Sequence, residues 1–199
     1  MPDLLKPYIL SFIPIFVAVD AIANIPIFVS LAENYSRKQR KRIIADAVKT
    51  ATAVAIIFMC IGKWVFSLLG VTIHDFQIAG GILLFVLSVR LLFPGAQKDI
   101  LTSAHDRGVG VFPLGTPLIT GPAVLTTTLM MMNSFGIIPT VVSFMLNMII
   151  VWISLVKADF IMKFFGPSGT RAFSKIMYIL LAAIAVMMVR RGIMEGLIR

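Results

Sequence analysis

Six stretches of this chain are each long and apolar enough to cross a lipid bilayer. A helix rises 1.5 Å per residue, so about 20 apolar residues span a hydrocarbon core of about 30 Å. The stretches run roughly over 7–32, 43–69, 76–93, 110–133, 137–158 and 172–190. In lipid every backbone N–H and C=O must bond internally, which makes such stretches helices. The composition agrees: 59% of the 199 residues are hydrophobic and 14% are charged. A soluble domain has about 45–50% and about 25%. Too little polar surface is left to cover a water-soluble globule. That excludes a soluble enzyme, a disordered chain and a nucleic-acid-binding domain, and it makes the lipid bilayer the chain's first partner.

The net charge of +9 therefore reads as topology. Arg37, Lys38, Arg40, Lys41 and Arg42 follow span 1. Lys98 and Arg107 follow span 3, with Arg90 just before them. Lys157, Lys163, Arg171 and Lys175 lie between spans 5 and 6. The other side holds Lys6, Lys63, Arg190, Arg191 and Arg199. Positive loops stay cytoplasmic, so both termini are expected outside the cytoplasm. Arg190 and Arg191 then have to snorkel outward. The start, Met1-Pro2-Asp3-Leu4, has no basic region before its apolar run and reads as a mature N-terminus rather than a signal peptide. Cys60 is the one cysteine, so no internal disulfide forms.

Spans 1 and 4 are unusual. Span 1 contains Pro14, Asp20, Asn24 and Pro26; span 4 contains Pro113, Thr116, Pro117, Thr120, Gly121 and Pro122. A shift of 96 residues places Asn24 on Thr120, Pro26 on Pro122 and Ala21 on Pro117. Proline inside a helix removes a hydrogen bond and clashes with the preceding turn, yet it suits the first turn. Asn and Thr are N-capping residues. These features predict that both spans break near mid-membrane and restart at Asn24 and Thr120. Each half has three spans, so the second half (about 98–199) enters the bilayer upside down relative to the first (about 1–97). Further identity between halves is sparse: at a shift of 98, Ile78 meets Ile176 and Leu83 meets Leu181. The expected fold is one all-α membrane domain of two inverted three-helix repeats. Inverted repeats with discontinuous helices describe a secondary transporter. Two half-helix N-termini would face one central site and favour an anionic group there.

Several motifs resemble one family. Asp20-Ala-Ile-Ala-Asn24-Ile25-Pro26-Ile-Phe resembles the span-1 motif of the MarC family of membrane proteins. Ile78-Ala-Gly80-Gly81-Ile-Leu resembles its span-3 signature, and Pro113-Leu-Gly-Thr-Pro117-Leu-Ile-Thr-Gly121-Pro122 its span-4 motif. Ile184-Ala-Val186 with Gly192-Ile193 resembles its ending. The resemblance covers essentially the whole chain. It implies a six-spanning protein of the inner membrane that carries neutral amino acids such as glycine and alanine. Two departures stand in span 1: Ala21 replaces the family's usual proline, and Ala23 its usual glycine.

Asn24 and Thr120 are the first candidates for substrate contact, with Ile25, Pro26, Gly121 and Pro122 beside them. Gly80 and Gly81 either let helices approach closely or open a gap for substrate. Asp20, an acid near the centre of a span, has two roles open to it. It is a coupling site for H+ or Na+, or it satisfies the backbone at the break. Ser143 and Asn147, four apart in span 5, read as interhelical hydrogen-bonding groups, and Thr126 to Thr128 as bonding back to their own helix. Asp46 and Lys49 read as a surface pair. His74 and His105 fall in separate loops and make no metal site. The methionines, Met130 to Met132 among them, read as packing. No nucleophile elbow, phosphate loop or metal-ligand spacing is present, so neither an enzyme nor a resident cofactor is expected. An uncoupled pore or exporter, and a non-transporting assembly subunit, are the alternatives. The sequence is compatible with a homo-oligomer.

Overall fold

The structure, a computed structural model, describes residues 5–32, 35–93, 110–163 and 166–197. Among these residues it is all helix and turn, with no strand. Five helical stretches are long and apolar enough to cross a membrane, and six if the bent pair Gly110–Ile119 and Pro122–Phe135 is one span. The elements are α1 (Lys6–Val19), α2 (Ala21–Leu31), α3 (Arg37–Leu69) and α4 (Ile73–Leu92). An irregular segment, Gly110–Ile119, precedes α5 (Pro122–Phe135), α6 (Ile137–Val156), α7 (Ala158–Lys163) and α8 (Gly166–Leu197). Lys98, His105 and Arg107, and the expected boundary between the halves, lie outside the described residues.

Local chemistry sets the helix ends. Ser36 and Gln39 form a reciprocal capping box at the start of α3, and Thr72 and Asp75 form one at the start of α4. Gly70 closes α3 in the left-handed region at φ 66°, a conformation glycine adopts without penalty. His74 therefore sits in the first turn of α4, not in a loop, and its Nδ1 lies 3.5 Å from Glu195 of α8. The short α7 falls where the sequence indicated only a connection, and its Asp159 pairs with Arg40. Asp46 turns toward Arg42 at 3.9 Å, one turn back, and not toward Lys49.

Glycine and alanine bring the helices together, as expected where lipid supplies no hydrophobic drive between them. A Cβ on Gly81 would stand 2.8 Å from the Ala185 carbonyl oxygen, and one on Gly192 would stand 2.6 Å from Ile78. With His74 beside Glu195, these contacts run α4 antiparallel to α8. On α3, Ala47, Ala51 and Ala55 are fully buried at four-residue spacing. The Gly110–Ile119 segment lies on that stripe, where a Cβ on Gly110 would be 2.4 Å from the Ile43 carbonyl oxygen.

Span 5 grips span 1 through polar groups. Ser143 Oγ donates to the Tyr8 carbonyl at 2.8 Å, and Asn147 Nδ2 donates to Phe12 O at 3.3 Å and Ser143 O at 2.9 Å. The two residues share one face of α6, as their spacing indicated. Residues 8 and 12 meet 143 and 147 in that order, so α1 and α6 run parallel. Such bonds contribute roughly 0.6–2 kcal/mol inside membranes. Asn147→Ala and Ser143→Ala are each expected to lower stability by about 1 kcal/mol, read as a drop in thermal midpoint in detergent. The Asn147 effect is tempered because its buried Oδ1 has no partner to lose.

Candidate functional site

Both spans depart from regular helix, the fourth at its prolines and the first at Asp20 instead. α1 ends at Val19, and Asp20 takes the left-handed conformation at φ 45°, ψ 58°. α2 begins at Ala21, so Asn24 lies inside it and Pro26 lies deeper still. The expected restart at Asn24 is corrected by a swap of hydrogen bonds. In a continuous helix the Ala23 N–H would bond to Val19 O. Here Ala23 N–H donates to the Asp20 carboxylate at 3.3 Å. Asn24 Nδ2 takes over the orphaned carbonyl, donating to Val19 O at 3.0 Å and to Asp20 O at 3.2 Å. Asp20 caps the second helix, and Asn24 seals the end of the first. Asp20 is suited to this because short polar side chains tolerate left-handed backbone and cap helices well.

The other break is broader. Phe112 and Thr116 are extended, at φ −133°, ψ 132° and φ −142°, ψ 127°. The Phe112–Pro113 and Thr116–Pro117 peptides are cis. α5 then departs at 53° to the segment before it. Gly121 stands at its N-cap and Pro122 at its first position, with no side-chain cap. Thr120 is not the cap. Its hydroxyl is fully buried and donates to Ala51 O of α3 at 3.0 Å, which pins the break to span 2. Thr126 and Thr128 bond back to their own helix, through Pro122 O at 2.9 Å and Leu125 O at 2.8 Å.

The two breaks face a common cavity of about 140 Å³. Asp20, Ala23 and Asn24 border it from the first span, and Pro117 and Gly121 from the fourth. Leu84 of α4 and Leu181, Ile184 and Met188 of α8 close it. The walls are mainly apolar, and the polar groups come from the breaks. Asp20 is half-buried and Asn24 is buried. Of the residues singled out from sequence, Asp20, Asn24 and Gly121 border this cavity. Ile25, Pro26, Thr120 and Pro122 are buried beside it without bordering it, and Gly80 and Gly81 also stand outside it. Gly80 has a different neighbour: a Cβ there would stand 1.8 Å from Cγ of Pro122. Gly81 packs on α8, so the pair joins α4 to α5 and to α8. The sequence reading missed the α8 wall. Its apolar residues carry no mark that separates a cavity lining from a lipid-facing surface.

The chain matches, over residues 5–197, the family described as MarC family integral membrane protein. It is 36% identical over 201 residues to a UPF0056 membrane protein of Methanocaldococcus jannaschii, covering 96% of this chain and 88% of that protein. It is 34% identical over 197 residues to a UPF0056 membrane protein of Archaeoglobus fulgidus, covering 94% of this chain and 92% of that protein. A second Methanocaldococcus jannaschii UPF0056 membrane protein is 29% identical over 204 residues, covering 98% of this chain and 99% of that protein. No solved structure is significantly similar.

Proposed function

The chain belongs to the MarC family of integral membrane proteins, and on that premise we propose that it is a secondary transporter of small neutral amino acids, of the glycine and alanine class, or of related metabolites. The observation that carries this reading is the cavity shared by the two breaks. Irregular backbone at membrane depth is tolerated where it is buried in protein or lines a cavity, and transporters use such breaks to build their sites. A cavity of about 140 Å³ suits a molecule of a few heavy atoms. The N-terminal end of α5, whose Gly121, Ala123 and Val124 border the cavity, favours a carboxylate, and the Asp20 carboxylate favours an ammonium group or a coupling cation. The apolar walls suit a small apolar side chain.

The two halves are read as inverted repeats. The antiparallel run of α4 against α8, the last spans of each half, supports that reading. Alternating access then comes from rocking the halves about the cavity. The protein sits in the inner membrane with both termini outside the cytoplasm, H+ or Na+ as the coupling ion, and no catalytic role or resident cofactor.

Radiolabelled glycine and alanine flux in proteoliposomes, with and without an imposed pH or sodium gradient, tests the proposal. Saturable, gradient-stimulated flux is expected. Asn24→Ala is expected to reduce it about tenfold, because a buried carbonyl left unpaired costs roughly 1–3 kcal/mol and loosens the break. Absence of flux for both amino acids would overturn the substrate assignment.

A further inference from the structure

A second concavity lies between α3, α4 and the Gly110–Ile119 segment. Its volume is about 630 Å³, far larger than the central cavity. Leu83, Val86, Leu87 and Arg90 line it from α4. Their spacing of three, four and seven places them on one helix face. Thr50 and Val54 line it from α3, and Phe112 and Thr116 from the irregular segment.

The groove is graded from polar to apolar. α3 and α4 are joined by the short turn at Gly70–Thr72. At 1.5 Å per residue, Thr50 stands roughly 30 Å and Arg90 roughly 27 Å along their helices from that turn, and Leu83 roughly 16 Å. Arg90 is exposed in the last turn of α4, at the end of a membrane-length helix. The charged end is therefore at headgroup depth and the apolar end is inside the hydrocarbon. Thr116 adds a hydroxyl: its Oγ1 is buried and has no hydrogen-bond partner. The lining thus offers one cation, an unpartnered donor and an apolar channel that leads into the bilayer.

We propose that this groove is a binding site for one anionic phospholipid. Its phosphate lies against the Arg90 guanidinium, which offers paired donors suited to phosphate oxygens. One acyl chain runs down the face of Leu83, Val86 and Leu87. The groove shares Pro117 with the central cavity, so the lipid rests on the break in the fourth span.

Native mass spectrometry of the full chain, released from micelles containing phosphatidylglycerol or phosphatidylcholine, tests this. Wild type is expected to retain phosphatidylglycerol about fivefold over phosphatidylcholine, the attraction of one arginine for an anionic headgroup. Arg90→Gln is expected to abolish the preference, and Arg90→Lys to keep most of it. Leu83→Trp, which fills the channel, is expected to cut adducts of both lipids. Retention of phosphatidylcholine by Arg90→Gln at the wild-type level shows that the variant is folded. Equal retention of the two lipids by wild type overturns the proposal. So does an undiminished preference in Arg90→Gln, displacement of the lipid by inorganic phosphate alone, or a dimer whose interface excludes lipid from the groove.

Discussion

Asp20→Asn is expected to give a folded protein whose transport no longer responds to an imposed ion gradient. Asparagine is a good N-cap and tolerates left-handed backbone, so the Ala23 N–H keeps an acceptor and the break keeps its shape. Only the charge is removed. If the carboxylate holds the coupling ion, the gradient-driven component of flux falls at least about tenfold, equivalent to about 1.4 kcal/mol. Asp20→Ala separates the two roles. It deletes the cap, for about 1 kcal/mol, and places a Cβ-bearing residue without local hydrogen bonding at φ 45°, for roughly 1–2 kcal/mol more. Asp20→Ala is therefore expected to lose both coupling and thermal stability. Gradient-driven flux in Asp20→Asn equal to wild type would leave the residue as a cap alone.

Gly80→Ala carries a large expected structural effect. The added methyl would overlap the Pro122 ring, with carbons at 1.8 and 2.4 Å. That ring is rigid and stands in the first turn of α5, so relief requires the helices to part. Overpacking typically costs about 1–3 kcal/mol, which exceeds the gain of about 1 kcal/mol from replacing glycine by alanine within a helix. An overlap this deep falls at the upper end of that range, so a net loss of about 2 kcal/mol is expected. Gly196→Ala is the control: its Cβ would meet only His74 Cβ at 3.7 Å, ordinary contact, and its midpoint should match wild type or rise slightly. Thermal midpoints in detergent by size-exclusion chromatography give the comparison. Equal midpoints for Gly80→Ala and wild type would refute the close contact between spans 3 and 4.

Run length and apolarity made the spans legible, because a bilayer of fixed thickness demands them. Ser143 and Asn147 were legible as an interhelical pair, because polar groups four apart on an apolar helix must find partners. The position of the first break was not. Proline marks where a helix is weakened. Asp20 marks where the backbone turns, because only there can one side chain cap the new helix while Asn24 covers the old one. Thr120 was misread for a related reason: a threonine near a proline suits a cap, and the competing acceptor, Ala51 O, is 69 residues away in the sequence. The α8 wall was illegible because apolar residues in a membrane chain face lipid, protein or cavity with the same letters.

Among the described residues, side-chain hydrogen bonds that reach from one span to the backbone of another include Thr120 to Ala51, Ser143 to Tyr8, and Asn147 to Phe12. In each, the donor lies later in the chain than the acceptor. A helical carbonyl keeps a spare lone pair after its own helical bond is made. It can therefore wait in lipid without being orphaned. The donors that complete these pairs arrive with spans made afterwards. The first break needs no such partner, since Asp20, Ala23 and Asn24 satisfy it within one span. During synthesis the acceptor spans can thus leave the insertion machinery with these carbonyls already satisfied, and the cross-span pairs form in the order in which the ribosome delivers the chain.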